Sequence, residues 1–190
     1  MKYVMQSHST RELVGWLLVG LIAVAAHPVE CLSAESQSEF RFEDGKNGSV
    51  KLWQGTRPVL VYNSEQVKRE GAAAVGNRSS YVHPIYGLDG EVITDDFPKD
   101  HYHHHGLFWG WPHVEIGGKD YDFWKMRGAD IRFKRWLRKG VAKNIAVLGM
   151  ENEWLVGERP VVREEAMVRV HTASAEGRLI DVRTDPHPYR

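Results

Sequence analysis

The strongest secondary-structure signal in the chain lies at residues 142–171, AKNIAVLGMENEWLV-GER-PVVREEAMVRVH. Residues 142–156 and 160–171 each alternate apolar and polar side chains, which is typical of β-strands that bury one face. Only Gly157-Glu158-Arg159 separates them, and so short a connection joins neighbouring antiparallel strands. The segment therefore predicts a long antiparallel hairpin.

Shorter alternating runs, separated by Gly, Asn, Asp and Pro, fill the chain from residue 39 onward, and helical periodicity is almost absent. Pro84 predicts a strand at an edge or a bulge, and Gly117-Gly118 predicts a hairpin turn. Strands are predicted at 40–42, 49–53, 59–62, 80–86, 91–94, 114–116, 121–123 and 131–137, with another beginning at 178. The fold class is therefore all-β and antiparallel.

The final predicted strand begins shortly before the chain ends and has no visible partner in the sequence. An unpaired strand exposes backbone donors and acceptors, which folded proteins usually cover or blunt. Either Pro186 and Pro188 blunt this edge, or the chain is a shortened copy of a longer protein.

The composition, with 42% hydrophobic and 26% charged residues, is that of an ordinary globular protein of one domain. Lys plus Arg and Asp plus Glu balance at 25 each, so no basic field attracts nucleic acid or an anionic membrane. Nucleic acid is therefore not expected as a partner.

The first 34 residues have the pattern of a signal peptide. An apolar run at 13–26 follows a basic segment and is shorter than the ~20 residues of a membrane-spanning helix. Small residues allow cleavage after Ala26 or Ala34, and an uncleaved N-terminal anchor is the alternative. We expect a signal helix at 1–34, export to the periplasm or medium, and a single domain at 35–190. Loss of Cys31 with the signal would leave that domain without a disulfide.

Site chemistry is most concentrated at residues 100–113, DHYHHHGLFWGWPH, which hold five of the ten histidines and two of the seven tryptophans. Imidazole nitrogens can ligate a metal or transfer a proton. Gly106 can host a bulge that moves the following side chains to the opposite face. We therefore expect residues 101–105 to form a loop and residues 107–111 to form a strand.

The motifs YVHP, TDDFP, DHYHH, FWGW and DFW follow one another between residues 78 and 124. In this order they resemble a bacterial family widely labelled "methane oxygenase PmoA", and the resemblance extends over roughly residues 58–165. It implies an exported β-sandwich similar to the supersandwiches of carbohydrate-active proteins, with a carbohydrate or small-molecule ligand. Family members usually have arginine where His105 stands, and they continue with further strands, so the sandwich is expected to be incomplete.

The label itself does not suit the chain. The membrane subunit that lends its name has several hydrophobic spans, whereas this chain has one apolar run, at its N-terminus. We interpret the label as a mis-transferred name and expect no integral membrane domain beyond the signal or anchor segment.

A divalent metal is a candidate cofactor. His103 and His105, or His101 and His103, would form an HxH pair suited to Zn, Mn, Fe or Cu. The shell would be completed from nearby groups: His83, Asp95, Asp96 and Asp100. Alternatively, some of these rings are structural histidines that donate to backbone carbonyls.

Proton transfer without a metal is the second interpretation. A histidine oriented by Asp100 or Asp96 can act as general acid or base on a sugar carbon or hydroxyl. The catalytic candidates are Asp100, His101, His103 and His104. Asp95 serves as readily to cap the turn at 95–98.

The substrate-binding candidates are Arg78, His83, Trp109 and Trp111. Indole rings, including that of Trp124, can stack on a sugar, although an aromatic residue in an alternating strand more often belongs to the core. Three functions therefore stay open: a sugar-modifying enzyme, a non-catalytic glycan-binding or structural module, and an inactive shortened copy.

Overall fold

Ten β-strands form the regular structure of the residues that the computed structural model describes, 39–70 and 77–189. The predicted signal helix at 1–34 lies outside the described residues. The strands are β1 (Phe40–Asp44), β2 (Val50–Gln54), β3 (Arg57–Asn63), β4 (Tyr81–Ile85), β5 (Val114–Ile116), β6 (Lys119–Tyr121), β7 (Asp130–Ala142), β8 (Ile145–Val156), β9 (Arg159–His171) and β10 (Ile180–Pro188). All pairings between them are antiparallel, which confirms the predicted fold class.

The strands form two four-stranded sheets and one hairpin. The first sheet has the order β1-β2-β3-β4, the second has the order β10-β9-β8-β7, and β5 pairs with β6. Strand β4, which contains Pro84, lies at an edge of the first sheet as predicted. The hairpin turn at Gly117-Gly118 is also confirmed, with φ of 59° and 75°. No helix in the described part of the chain is long and apolar enough to span a membrane.

The predicted hairpin at 142–171 is the centre of the second sheet. Strands β8 and β9 pair from Ile145↔His171 to Val156↔Arg159, around a turn at Gly157 with φ of 61°. The expectation that the last strand has no partner was wrong. Strand β10 pairs with β9 from Ile180↔Val170 to Pro188↔Val162, so β10 is the edge strand of this sheet.

Buried side chains from both four-stranded sheets belong to one hydrophobic cluster. The first sheet contributes Leu52, Leu60 and Val82, and the second contributes Leu148 and Val168. A second cluster forms around Phe123 and Trp154. Burial of such side chains is the main stabilising term, at roughly 1.5–3 kcal/mol for each fully buried large apolar group.

The long segment between β4 and β5, residues 86–113, is mostly irregular and returns to β4. Leu107 forms an isolated bridge with Val82, in which each backbone N–H donates to the other carbonyl at 2.9 Å. The strand predicted at 107–111 is therefore wrong beyond Leu107. The strand predicted at 91–94 is also reduced to one bridge, between Val92 and Tyr86.

Candidate functional site

Backbone pairing closes the histidine-rich segment into a loop. Asp96 and His105 form an isolated bridge, Phe97 N–H donates to the His104 carbonyl at 3.1 Å, and Gly106 N–H donates to the Asp95 carbonyl at 2.8 Å. The loop therefore begins and ends at a short set of antiparallel backbone hydrogen bonds. Leu107 follows directly and pairs with Val82 of β4.

Gly106 permits the close approach of this ladder to β4. Its φ is +38°, and a Cβ atom at this position would lie 2.2 Å from the Val82 carbonyl oxygen. A residue with a side chain would therefore clash with the β4 backbone. The side chains before Gly106 separate into two groups.

His105 belongs to the buried group. Its Nδ1 atom lies 2.7 Å from Asp96 Oδ1, and the Tyr81 hydroxyl donates to Asp96 Oδ2 at 3.0 Å. The imidazole is 1% exposed and is edge-on to Phe97 at 4.4 Å between ring centroids. Burial and the neighbouring Asp96 carboxylate raise the pKa of Tyr81, so its hydroxyl stays protonated and continues to donate.

His101, His103 and His104 form the second group, which we call the imidazole trio. The rings of His101 and His104 stack at 4.8 Å with an interplanar angle of 19°, and His103 meets His104 edge-on at 4.5 Å. Two successive turns bring the rings together, because His101 N–H donates to the Pro98 carbonyl and His104 N–H donates to the His101 carbonyl, each at 2.9 Å.

Asp100 joins the trio through His101, whose Nδ1 atom lies 3.1 Å from Asp100 Oδ2. This hydrogen bond is the main cause of the lowered pKa of the exposed Asp100 carboxyl. Burial lowers the pKa of His103, and electrostatic interactions with His104, Lys125 and His101 lower it further. His103 is therefore neutral at neutral pH and can accept a proton.

Two aromatic rings stand beside the trio. His104 lies 6.2 Å from Trp124 and 6.4 Å from Phe108 between ring centroids, and these two rings contact each other at 4.7 Å. Trp124 is partly exposed and its turn is held by Asp122, whose Oδ1 accepts from the backbone N–H of Trp124 at 2.9 Å. The imidazole trio therefore lies next to an aromatic wall formed by Phe108 and Trp124.

Arg78, expected to contact substrate, lies in the interior with 2% of its surface exposed. Its guanidinium donates to the backbone carbonyls of Trp109 and Phe123, and its Cζ lies 4.5 Å from the Phe108 ring centroid. Burial lowers the pKa of Arg78 to about 9. It therefore has no surface for a ligand and instead joins the two segments that carry the aromatic wall.

His83 also lies away from the trio. Its Nδ1 atom is 3.0 Å from the Thr94 hydroxyl, and burial lowers its pKa. Asp96 and His105 are among the residues that act on it electrostatically, which places it beside the buried group.

The two candidate tryptophans have different surroundings. Trp109 packs against both hydrophobic clusters, and its Nε1 donates to Glu164 Oε1 at 2.5 Å. Trp111 is 47% exposed and its ring lies 4.9 Å from that of Trp154. Only Trp111 of this pair presents a large open surface to a ligand.

Glu164, which the sequence reasoning missed, is a carboxyl within the core and is 1% exposed. Besides the Trp109 indole, it accepts from Asn152 Nδ2 at 2.9 Å, and Asn152 Oδ1 accepts from the Ser80 hydroxyl at 3.0 Å. Burial raises the pKa of Glu164. The alternation of the sequence could have indicated its burial, because Glu164 shares the inward-facing side of β9 with Val162 and Ala166.

Of the two predicted HxH pairs, His103 and His105 point to different surroundings, whereas the rings of His101 and His103 lie 5.7 Å apart between centroids. The His103 ring also contacts His104, and the His105 ring contacts Tyr81, Phe97 and Phe108. Within 39–70 and 77–189, no cluster of three or more His, Cys, Asp or Glu side chains has a geometry suited to a metal ion.

Residues 49–189 match a family of unknown function, DUF6807. The chain belongs to the DUF6807 family. The matched region extends from the start of β2 to the end of β10 and includes the loop of the imidazole trio. Comparisons with the curated proteins and with the solved structures give no significant match.

Proposed function

We propose that this member of the DUF6807 family is exported and acts on carbohydrate through the imidazole trio. The observation that carries the proposal is the contact between three partly or fully exposed imidazoles, His101, His103 and His104, beside the Trp124 ring. Neighbouring imidazoles can give and accept protons, and an indole ring can cover the apolar face of a sugar. Together they fit a ligand with hydroxyl groups and a ring.

The proposed chemistry is general acid–base catalysis. Neutral His103 would accept a proton from a sugar hydroxyl or carbon, because its pKa is lowered by burial and by adjacent positive charge. His101, whose ring is oriented by its hydrogen bond to Asp100, would return a proton to the sugar. His104 contacts both of these rings and would relay a proton or orient the sugar.

The fold supports a carbohydrate ligand by analogy. Two antiparallel four-stranded sheets whose side chains share one cluster are consistent with a β-sandwich, and we propose the supersandwich type found in carbohydrate-active proteins. Analogy of fold is a weaker argument than the site. We also propose that the motifs at residues 78–124 relate this chain to the family labelled "methane oxygenase PmoA", and that this label is a mis-transferred name.

Turnover of polysaccharides by the purified mature protein tests the enzymatic proposal. Plant and algal polysaccharides serve as substrates, and new reducing or unsaturated ends are measured with and without added Zn²⁺ or Mn²⁺. We expect His103→Ala to abolish turnover without changing the melting temperature. His113→Ala, which removes an exposed histidine outside the trio, is the matched control. Full activity of His103→Ala would refute the assignment.

A non-catalytic glycan-binding module is the second candidate, favoured by the 47% exposure of Trp111. Its ring is supported from one side by Trp154, so a flat surface is already oriented for stacking. Calorimetric titration with the same polysaccharides should then show binding without turnover, weakened at least tenfold by Trp111→Ala. Equal binding by the variant would remove this candidate.

Export is tested separately, by mass spectrometry of the protein from the periplasm or medium of a bacterial host. The proposal predicts a mature N-terminus after Ala34 or Ala26. An intact N-terminus on membrane-bound protein would favour the anchor instead.

A further inference from the structure

A cleft of about 420 Å³ lies between the turn that joins β2 to β3 and the loop that joins β9 to β10. It shares no residue with the imidazole trio. It is lined by Glu39, Gln54, Gly55, Thr56, Arg57, Leu88, Ala173, Ser174 and Arg178. The lining is mostly polar and includes two guanidinium groups.

Arg178 is the better fixed of the two. Its Nη2 donates to Gln54 Oε1 at 2.8 Å, and the same oxygen accepts from the Ala173 backbone N–H at 3.3 Å. The Nε and Nη1 atoms of Arg178 are buried and have no acceptor among the described residues. Buried donors without acceptors cost free energy. The hydrogen bond to Gln54 thus orients the Arg178 side chain but leaves two of its donors without an acceptor among the described residues.

Arg57 brings a second positive charge to the same cleft. One of its Nη atoms donates to the Leu88 carbonyl at 3.1 Å, which holds this exposed side chain against the segment that follows β4. Burial and then the charge of Arg57 lower the pKa of Arg178. Neither guanidinium forms an ion pair with a carboxylate of residues 39–70 or 77–189.

Glu39, the acidic residue in the lining, does not neutralise the pair. Its Oε2 accepts from Gln54 Nε2 at 2.9 Å, so Gln54 separates the carboxylate from Arg178. The amide thus holds a negative group with its nitrogen and a positive group with its oxygen. This arrangement leaves uncompensated positive charge inside the cleft.

We propose that this cleft binds an oxoanion, held between Arg178 and Arg57. The Nε and Nη1 donors point to different sides of a guanidinium, so a sulfate, phosphate or carboxylate group would accept from one of these two donors of Arg178 and from the guanidinium of Arg57. The anion offsets the repulsion between the two arginines and gives one of the buried donors an acceptor. The Thr56 and Ser174 hydroxyls, also in the lining, can donate to remaining oxygens. The oxoanion is either a free ion or an acidic substituent of a larger ligand.

Titration calorimetry at low ionic strength tests the proposal with three probes: inorganic sulfate, inorganic phosphate and glucuronate. Saturable one-to-one binding of at least one probe is expected, and Arg178→Gln should weaken it at least tenfold. Arg159→Gln, which removes an exposed arginine at the start of β9, should bind like the wild type. Tighter binding of glucuronate than of the inorganic ions would identify an acidic sugar as the source.

Further variants keep the test decisive if Arg178→Gln does not fold. Arg57→Gln removes an exposed side chain and should weaken binding severalfold while the melting curve stays cooperative. Glu39→Gln should strengthen binding because it removes the negative charge from the lining. Absence of saturable binding by wild-type protein, or equal weakening by Arg159→Gln, would overturn the proposal. Since the imidazole trio is intact in all these variants, failure here leaves the carbohydrate proposal untouched.

Discussion

His105 Nδ1 lies 2.7 Å from Asp96 Oδ1, in an environment where the imidazole is almost completely buried. The contact joins the two ends of the loop that carries the imidazole trio, at a position where Asp96 and His105 also pair through their backbones. Tyr81 extends the interaction to β4 through the second carboxylate oxygen. This histidine therefore supports the loop, while its three neighbours in sequence are available for chemistry.

The first prediction concerns that support. His105→Ala should lower the free energy of unfolding by about 2–4 kcal/mol, because it leaves a cavity and removes a hydrogen-bond partner from a partly buried carboxylate. His101→Ala, at an exposed ring of the same loop, should change it by no more than about 0.5 kcal/mol. Urea denaturation followed by tryptophan fluorescence measures both. Similar losses in the two variants would show that His105 is not a structural residue.

Gly106 allows a matched comparison with another glycine. Gly106→Ala should destabilise the protein by about 3 kcal/mol or more, since the new methyl group meets the Val82 carbonyl oxygen and the backbone has a positive φ. Gly117→Ala combines a φ of +59° with open space around the Cβ position, so it should cost about 1–2 kcal/mol. Thermal melts of the two variants separate crowding from backbone strain. Equal destabilisation by the two substitutions would mean that Gly106 does not pack closely against the Val82 backbone.

The sequence predicts most of the strands, because the sheets follow the period-two pattern and Gly or Pro marks the turns. It does not predict which histidines converge. Successive turns at 98–101 and 101–104 break the alternation, so a spacing of two no longer places His103 and His105 on one face. The partners of Glu164 were equally hidden, because Trp109 lies 55 residues earlier in the chain and reaches it through the tertiary fold.

Glu164 gives a prediction for stability against pH. Burial raises the pKa of this carboxyl above its value in the unfolded chain, so the folded state binds the proton more tightly. The stabilising contribution is complete below the unfolded pKa and is lost as pH rises through the folded pKa. The free energy of unfolding of wild type, relative to that of Glu164→Gln, should therefore fall as pH rises from about 4.

Denaturation of both proteins at a series of pH values measures this difference. Glu153→Gln is the control, because Glu153 is a less buried residue of the neighbouring strand β8 that pairs with Lys134 at the surface. A difference between wild type and Glu164→Gln that stays constant, or that rises with pH, would show that Glu164 is not held in its protonated form by burial.

The protonation of His103 tests the acid–base chemistry directly. Its pKa is lowered first by burial and then by the charges of His104, Lys125 and His101, so its NMR titration midpoint should lie below that of an ordinary histidine. Lys125→Gln removes one of these charges and should move the midpoint upward, whereas Lys143→Gln, in the turn between β7 and β8, should not. The folded pKa is the depressed one, so protonation of His103 costs stability as pH falls below the unfolded histidine pKa of about 6.5. A midpoint at or above that value would remove the neutral base on which the proposed proton transfer depends.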